Sequence, residues 1–345
     1  TYDDLTKQTV CETFGKPLVL REDVLEHIRT YFARNVHLTM PENNRQQAEF
    51  PADCVIFDNP VGTAPGCAFE ADGVHVLMLP GPPHECETML RRGVEPYLRA
   101  LSKEVIVSHD IMTFGMGESS VDQLLHDRMV RMVNPTLATY AKPCEVRLRA
   151  TAKAAGAEEA EAMLAPVVAE VRAALGDYVY GVDVKGLEAV CFQLLKERNL
   201  TLSTAESCTG GRVAERITAL PGVSSVYRGG VVSYWTSVKA AVLGVPQETL
   251  DQYGAVSEET ARAMAEGARQ ITGADIAVSV TGVAGPDRDE RDNPVGLVYI
   301  GLATPEGTFC RRTDSGRRRR DRIQELAANH ALDVVRRYLT GLPIG

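Results

Sequence analysis

The stretch that most constrains the fold is Leu202-Ser203-Thr204-Ala205-Glu206-Ser207-Cys208-Thr209-Gly210-Gly211. Its leading residues suit a short buried strand, and after Gly211 the apolar residues Val213, Ile217 and Leu220 recur at helical spacing. Strand, tight turn and helix are therefore predicted, which places the segment in an α/β fold. Such a turn leaves several amides of the first helical turn unpaired and aimed one way, an arrangement that suits an oxyanion or a phosphate. Ser207 and Thr209 bring hydroxyls to the same point. Helix capping by Ser207 or Thr209, with the two glycines only making the turn, accounts for the same residues equally well.

At 345 residues the chain exceeds one ordinary core, so two or three domains are expected. The charge of −9 provides no global basic field for nucleic acid or anionic membrane. No apolar run approaches the ~20 residues of a spanning helix, and no signal-peptide pattern opens the chain, so a cytoplasmic location is expected. Eight cysteines are scattered singly with no C-x-x-C pair, and they read as reduced thiols rather than zinc ligands.

Residues 1–100 form a first expected domain. Val10, Phe14, Leu25, Ile28 and Phe32 lie in a helical pattern, Cys54 to Phe57 reads as a strand, and Gly73 to Leu79 reads as a buried strand ending in Pro80-Gly81-Pro82-Pro83-His84-Glu85. In an open α/β sheet ligands gather at the carboxyl ends of strands, so Pro80 to Glu85 is a candidate site edge; a rigid proline turn is the competing account.

Residues 101–181 are predicted as strand, helix, two strands, helix and strand, the order of a small split α/β module of the KH or ferredoxin type. Gly117-Glu118-Ser119-Ser120 leads into its first helix. No G-x-x-G loop joins two helices and no aromatic pair marks a sheet face, so a linker or dimerisation role is favoured over RNA binding.

Residues 182–345 hold the remaining motifs. Lys239 lies among Ala240, Ala241, Val242 and Leu243; desolvated, it can act as a general base, and snorkelling to the surface is the bland alternative. Ser257 reads as the cap of a helix carrying Ala261, Met264, Ala265, Ala268 and Ile271 inward. Asp275 to Val280 is a strand apolar enough to be buried on both faces, and it breaks into Thr281-Gly282-Val283-Ala284-Gly285-Pro286, a second wall for a site. The run Arg317-Arg318-Arg319-Arg320 before the last helix is either solvated surface or a phosphate clamp, and His330 on that helix reads as packed.

Together these motifs resemble the CinA (competence/damage-inducible protein A) family. In the N-terminal part the resemblance rests on Asp3-Asp4-Leu5-Thr6, Pro41-Glu42-Asn43-Asn44-Arg45, Asn59 to Gly66 and Leu79-Pro80-Gly81-Pro82-Pro83. In the C-terminal part it rests on Ala205 to Gly211, Ser233-Tyr234 with Lys239, Gly254-Ala255-Val256-Ser257 and Thr281 to Pro286. It implies a molybdopterin-binding-like α/β domain whose preceding glycine loop is missing here, a spacer module, and a C-terminal α/β/α domain. It further implies nicotinamide mononucleotide (NMN) amidohydrolase activity in a homodimer that needs no cofactor. For the N-terminal domain it implies a divalent-metal-dependent ADP-ribose pyrophosphatase with Asp4 as the metal residue. A non-catalytic role in competence or DNA damage, without direct DNA contact, is the remaining alternative.

Amide hydrolysis needs a nucleophile, a proton carrier and oxyanion donors. The expected assignment makes Ser207 the nucleophile, Lys239 the base and Tyr234 a proton relay or orienter. Glu206, Thr209, Gly210, Gly211, Thr281, Gly282, Gly285 and Arg320 are expected around the substrate, with amides near Thr209, Gly210 and Gly211 as donors. Cys208 is the rival nucleophile.

Overall fold

The computed structural model describes residues 5–36, 39–142 and 144–344. Contacts within the chain gather into two units, Thr1–Val105 and Ile106–Gly345.

In the first unit the helical pattern resolves into α1 (Thr6–Thr13) and α2 (Glu22–Tyr31), the latter burying Val24, Leu25 and Ile28. Between them lies a strand the helical pattern hid, β1 (Leu18–Leu20), antiparallel to β2 (Glu49–Pro51). β3 (Val55–Phe57), β4 (Gly66–Ala71) and β5 (Val74–Met78) form a separate antiparallel sheet. Two expectations are corrected here. β5 is not a buried strand: it is an edge strand with Val74 54% exposed. Because its sheet is antiparallel throughout, Pro80 to Glu85 does not lie at the carboxyl edge of a parallel sheet. The segment instead enters α3 (Pro83–Met89), where Pro83 suits the first helical position, and α4 (Glu95–Leu101) follows.

The second unit opens with the split module. β6 (Val105–Thr113), α5 (Glu118–Arg131), β7 (Thr136–Lys142), β8 (Glu145–Ala154), α6 (Ala157–Leu175) and β9 (Val179–Val182) follow the expected order. The sheet order is β7-β8-β6-β9. Strict alternation along β8 buries Val146, Leu148 and Ala150 against Leu164, Val167 and Val171 of α6.

The C-terminal part contains α7 (Leu187–Arg198), β10 (Leu202–Glu206), α8 (Arg212–Thr218), β11 (Tyr227–Val232), α9 (Thr236–Leu243) and α10 (Gln247–Tyr253). Then come α11 (Glu258–Thr272), β12 (Ile276–Gly282), β13 (Leu297–Thr304), β14 (Gly307–Asp314) and α12 (Arg320–Thr340). Its sheet runs β11-β10-β12-β13-β14: β10 pairs parallel with β11 and β12, and β13 and β14 add antiparallel. Successive residues of β12 face opposite ways, so Ile276, Val278 and Val280 join the core beneath α7, α8 and α12. Ala277 joins the one beneath α9, α10 and α11. Both faces are covered, which is why β12 reads as a continuous apolar run. Along α11, Ala261, Met264, Ala265 and Ala268 are buried as expected, whereas Ile271 is 51% exposed because the inward stripe ends a turn earlier. Met112, Phe114 and Tyr180 of the split module share a core with Leu187, Cys191, Leu332 and Val335.

Candidate active site

β10 is the central parallel strand, and all five of its residues are buried. The ladder continues one residue past its end: the Ser207 amide donates to the Val280 carbonyl at 2.8 Å, and the Ser233 amide donates to the Glu206 carbonyl at 2.8 Å. The chain then turns through Gly210 (φ +64°) and Gly211 (φ +101°), left-handed conformations that a side chain would strain. The Cys208 carbonyl is held by Gln324 Nε2 of α12 at 2.8 Å. Ser207 is thus fixed between the sheet on one side and α12 on the other.

Opposite it stands Lys239 of α9, with no exposed surface. Its Nζ donates to Ser207 Oγ at 2.9 Å and to the Ser233 carbonyl at 2.5 Å. Snorkelling is therefore ruled out for this lysine. Burial pulls its pKa from the ordinary lysine value down to about 8, against a smaller upward influence of Cys208. An amine with that pKa is neutral often enough near neutral pH to accept a proton from a hydroxyl. The Cys208 thiol is pushed up to about 12, chiefly by burial, so the rival nucleophile stays protonated.

Several expected residues do other work. The Glu206 carboxylate, 1% exposed, accepts from the amides of Gly211 (3.0 Å), Val213 (3.0 Å) and Ala214 (2.8 Å). It caps α8 and does not face a substrate, because the curled turn returns the orphan amides of the helix to it. The Gly211 amide is thereby spent, and that of Gly210 donates to the Ser207 carbonyl at 3.1 Å, so neither is an oxyanion donor. Among the described residues, the Cys208 and Thr209 amides donate to no acceptor. Thr209 Oγ1 is likewise buried without a partner.

Tyr234, 52% exposed, accepts a hydrogen bond from the Arg320 guanidinium and bonds to neither Ser207 nor Lys239. The contact with Lys239 comes from the preceding residue, through the Ser233 carbonyl. Arg320 also donates to the Gly285 carbonyl at 2.5 Å, so it joins the two loops at the mouth of the site. Thr281 is fully buried, with Oγ1 donating to the Ala255 carbonyl at 2.6 Å. Gly282 pairs with Val298, and a Cβ there would meet the Leu297 carbonyl at 2.6 Å, so its role is close sheet packing. Ser257 accepts from the Thr260 amide at 3.2 Å as the cap of α11. His330 packs edge-on against Phe114 at 4.8 Å.

Three groups that hold the site were not assigned that role from the sequence. Gln324 anchors the nucleophile turn, the Ser233 carbonyl holds the lysine, and Arg216 of α8 binds Glu188 of α7 at 2.5 Å and Asn329 of α12 at 2.5 Å. For the cap, the available signal was that Glu206 ends a strand six residues before α8, close enough in a tight turn for its carboxylate to reach free amides. In the first unit, Asp4 lies outside the described residues. Among the described residues no three His, Cys, Asp or Glu side chains converge to hold a metal.

A chain that joins a split α/β module to a sheet covered on both faces, with a serine at the end of the middle one of its three parallel strands, defines a class of mixed α/β multidomain protein. Three domain descriptions match it in order: probable molybdopterin binding domain over 1–100, damage-inducible protein CinA KH domain over 108–181, and CinA C-terminal domain over 184–339. A CinA-like protein of Kosmotoga olearia is 45% identical over 343 residues, covering 99% of this chain and 82% of that protein. One from Desulfovibrio desulfuricans is 44% identical over 347 residues, covering 100% and 81%. A solved competence/damage inducible protein from Agrobacterium tumefaciens is 37% identical, covering 45% of this chain and 93% of that one, with a TM-score of 0.43. The chain belongs to the CinA family. No helix among the described residues is long and apolar enough to cross a membrane.

Proposed function

We propose that the C-terminal domain hydrolyses the carboxamide of NMN, giving nicotinate mononucleotide and ammonia. The observation that carries this reading is the 2.9 Å contact between Lys239 Nζ and Ser207 Oγ, with the lysine fully buried in the free chain. In the neutral form, Lys239 takes the Ser207 proton as Oγ attacks the carboxamide carbon. The oxyanion is placed against the Cys208 and Thr209 amides. Lys239 then returns the proton to the departing nitrogen, releasing ammonia and leaving a nicotinoyl ester on Ser207. Water entering where ammonia left gives a proton to the same amine and attacks the ester; as the acyl–Oγ bond breaks, Lys239 passes that proton to Ser207 Oγ and the carboxylate product is freed. Arg320, at the first position of α12, is the group assigned to the substrate phosphate; on binding it exchanges its contacts with Tyr234 and Gly285 for phosphate oxygens.

Homodimerisation belongs to the same reading. Trp235 is 76% exposed and Val242 is 45% exposed on and beside α9, and sedimentation equilibrium of the chain and of Trp235→Ser tests whether a second copy covers them.

The decisive experiment incubates the chain with NMN and measures ammonia and nicotinate mononucleotide together. Stoichiometric release of both, abolished in Ser207→Ala, is expected. A folded chain that releases neither removes this assignment.

A further inference from the structure

Away from the Ser207–Lys239 pair, a cleft of about 770 Å³ separates the split module from α12, within the size range of small-molecule sites. One wall is the Gly115-Met116-Gly117 loop ahead of α5 together with the β7–β8 turn. The other is the segment from Asp314 to Arg318 and the first turns of α12.

Lys142, Arg318 and Arg322 reach this cleft from both walls, and among the described residues none of the three has a carboxylate partner. Uncompensated cations brought together in a concave surface attract anions, and two guanidiniums suit the oxygens of a phosphate. Three carboxylates, Glu118, Glu145 and Asp314, also line the cleft, facing the three cations, and two of them are engaged. Glu145 accepts from the Tyr180 hydroxyl at 3.1 Å, and burial raises its pKa towards the neutral acid. Asp314 accepts from the Gly316 amide at 2.9 Å.

His330 lines the same cleft with its Nδ1 buried and without a partner. Buried polar atoms are normally satisfied, and one left open on a cleft wall fits a ligand contact. Burial, with the charge of Arg311, lowers its pKa to about 4, so the ring is neutral, and it lines the cleft together with Met116 and Leu326.

We propose that this cleft binds a small phosphate ester with an aromatic or apolar body. The phosphate is held by Arg318, Arg322 and Lys142, and the body lies against Met116, Leu326 and the His330 ring. This inference is independent of the amidase assignment, since none of these side chains takes part in it.

Cys144, half-buried on the cleft wall, provides a site-resolved reporter. The experiment follows maleimide modification of Cys144 in the full chain by peptide mass spectrometry, with Cys86 of the first unit as internal control. AMP is the probe, with adenosine and inorganic phosphate as its two halves. AMP is expected to slow Cys144 modification saturably by about fivefold or more and to leave Cys86 unchanged, whereas neither half does so at the same concentration. The double variant Arg318→Glu with Arg322→Glu changes two exposed side chains and should abolish protection without altering Tm or NMN turnover. An unprotected Cys144 at millimolar AMP, equal protection of Cys86, or full protection in the double variant would each overturn the proposal.

Discussion

A lysine with no exposed surface is costly to keep charged, and that cost is what makes Lys239 useful. Because its folded pKa of about 8 lies below its unfolded value, the unfolded chain binds this proton more tightly between about pH 8 and 10.5. Stability therefore rises with pH across that window, and below pH 8 the full penalty, about 3 kcal/mol, is present. Lys239→Met relieves it but leaves the Ser233 carbonyl unpaired, which costs about 1–3 kcal/mol. Melting curves should show the variant at least as stable as the parent at pH 7, with its relative advantage shrinking as pH rises to 10. Turnover moves the other way: kcat/KM for NMN should climb with pH and reach half its maximum near the folded pKa, since only the neutral amine accepts a proton. A flat profile from pH 6 to 9 would exclude Lys239 as the base. Ser207→Ala and Lys239→Ala should each remove most of kcat, and the double variant should be little worse, because the two act as one unit. Sequence motifs singled out both residues. The residues that hold them were not legible, because a backbone carbonyl such as that of Ser233 carries no residue identity, and Gln324 lies 116 positions from the peptide it anchors.

At the scale of elements, the decisive joint is the β10–α8 turn. α8 is only seven residues long, too short to persist without tertiary support, and Glu206 satisfies three of its first amides from within the sheet. Arg216 then fastens the helix to α7 and α12. Glu206→Ala should lower stability by about 2–4 kcal/mol in chemical denaturation, since it strands buried donors rather than one surface cap. It should also depress kcat through loosening of the Ser207 turn, while Glu206→Gln, which keeps one acceptor oxygen, should lose less of both. Equal kcat in all three proteins would show that the cap supports the helix alone. The strand–turn–helix was readable here because a buried strand and a glycine pair are strong local signals. The same reasoning missed β1 and β4 in the first unit. β1 spans three residues, too few to establish an alternating period, and β4 begins inside a glycine-proline loop.

Across the whole molecule, the order of elements in the split module followed from periodicity, but its attachment to the C-terminal sheet did not. Met112 and Tyr180 lie on strands, and Phe114 directly follows one, with nothing in their spacing to mark them out, yet they belong to the core of α7 and α12. Arg336 of α12 adds a hydrogen bond of 3.0 Å to the Asp177 carbonyl and is held by Asp333 at 2.7 Å. Two truncations separate these contributions. Removal of residues 1–105 leaves the second unit with its own cores and should leave both Tm and NMN turnover of that unit nearly unchanged. Removal of residues 1–181 keeps Ser207, Lys239, Gln324 and Arg320 but uncovers apolar surface on Leu187 and Leu332. At roughly 1 kcal/mol for each of three lost side-chain contacts, Tm should fall by about 5–10 °C, with kcat at 25 °C retained. Calorimetry alongside the ammonia assay checks both parts. A shorter fragment as stable as the longer one would show that the shared core contributes nothing, and a folded shorter fragment without turnover would place part of the catalytic machinery in the split module.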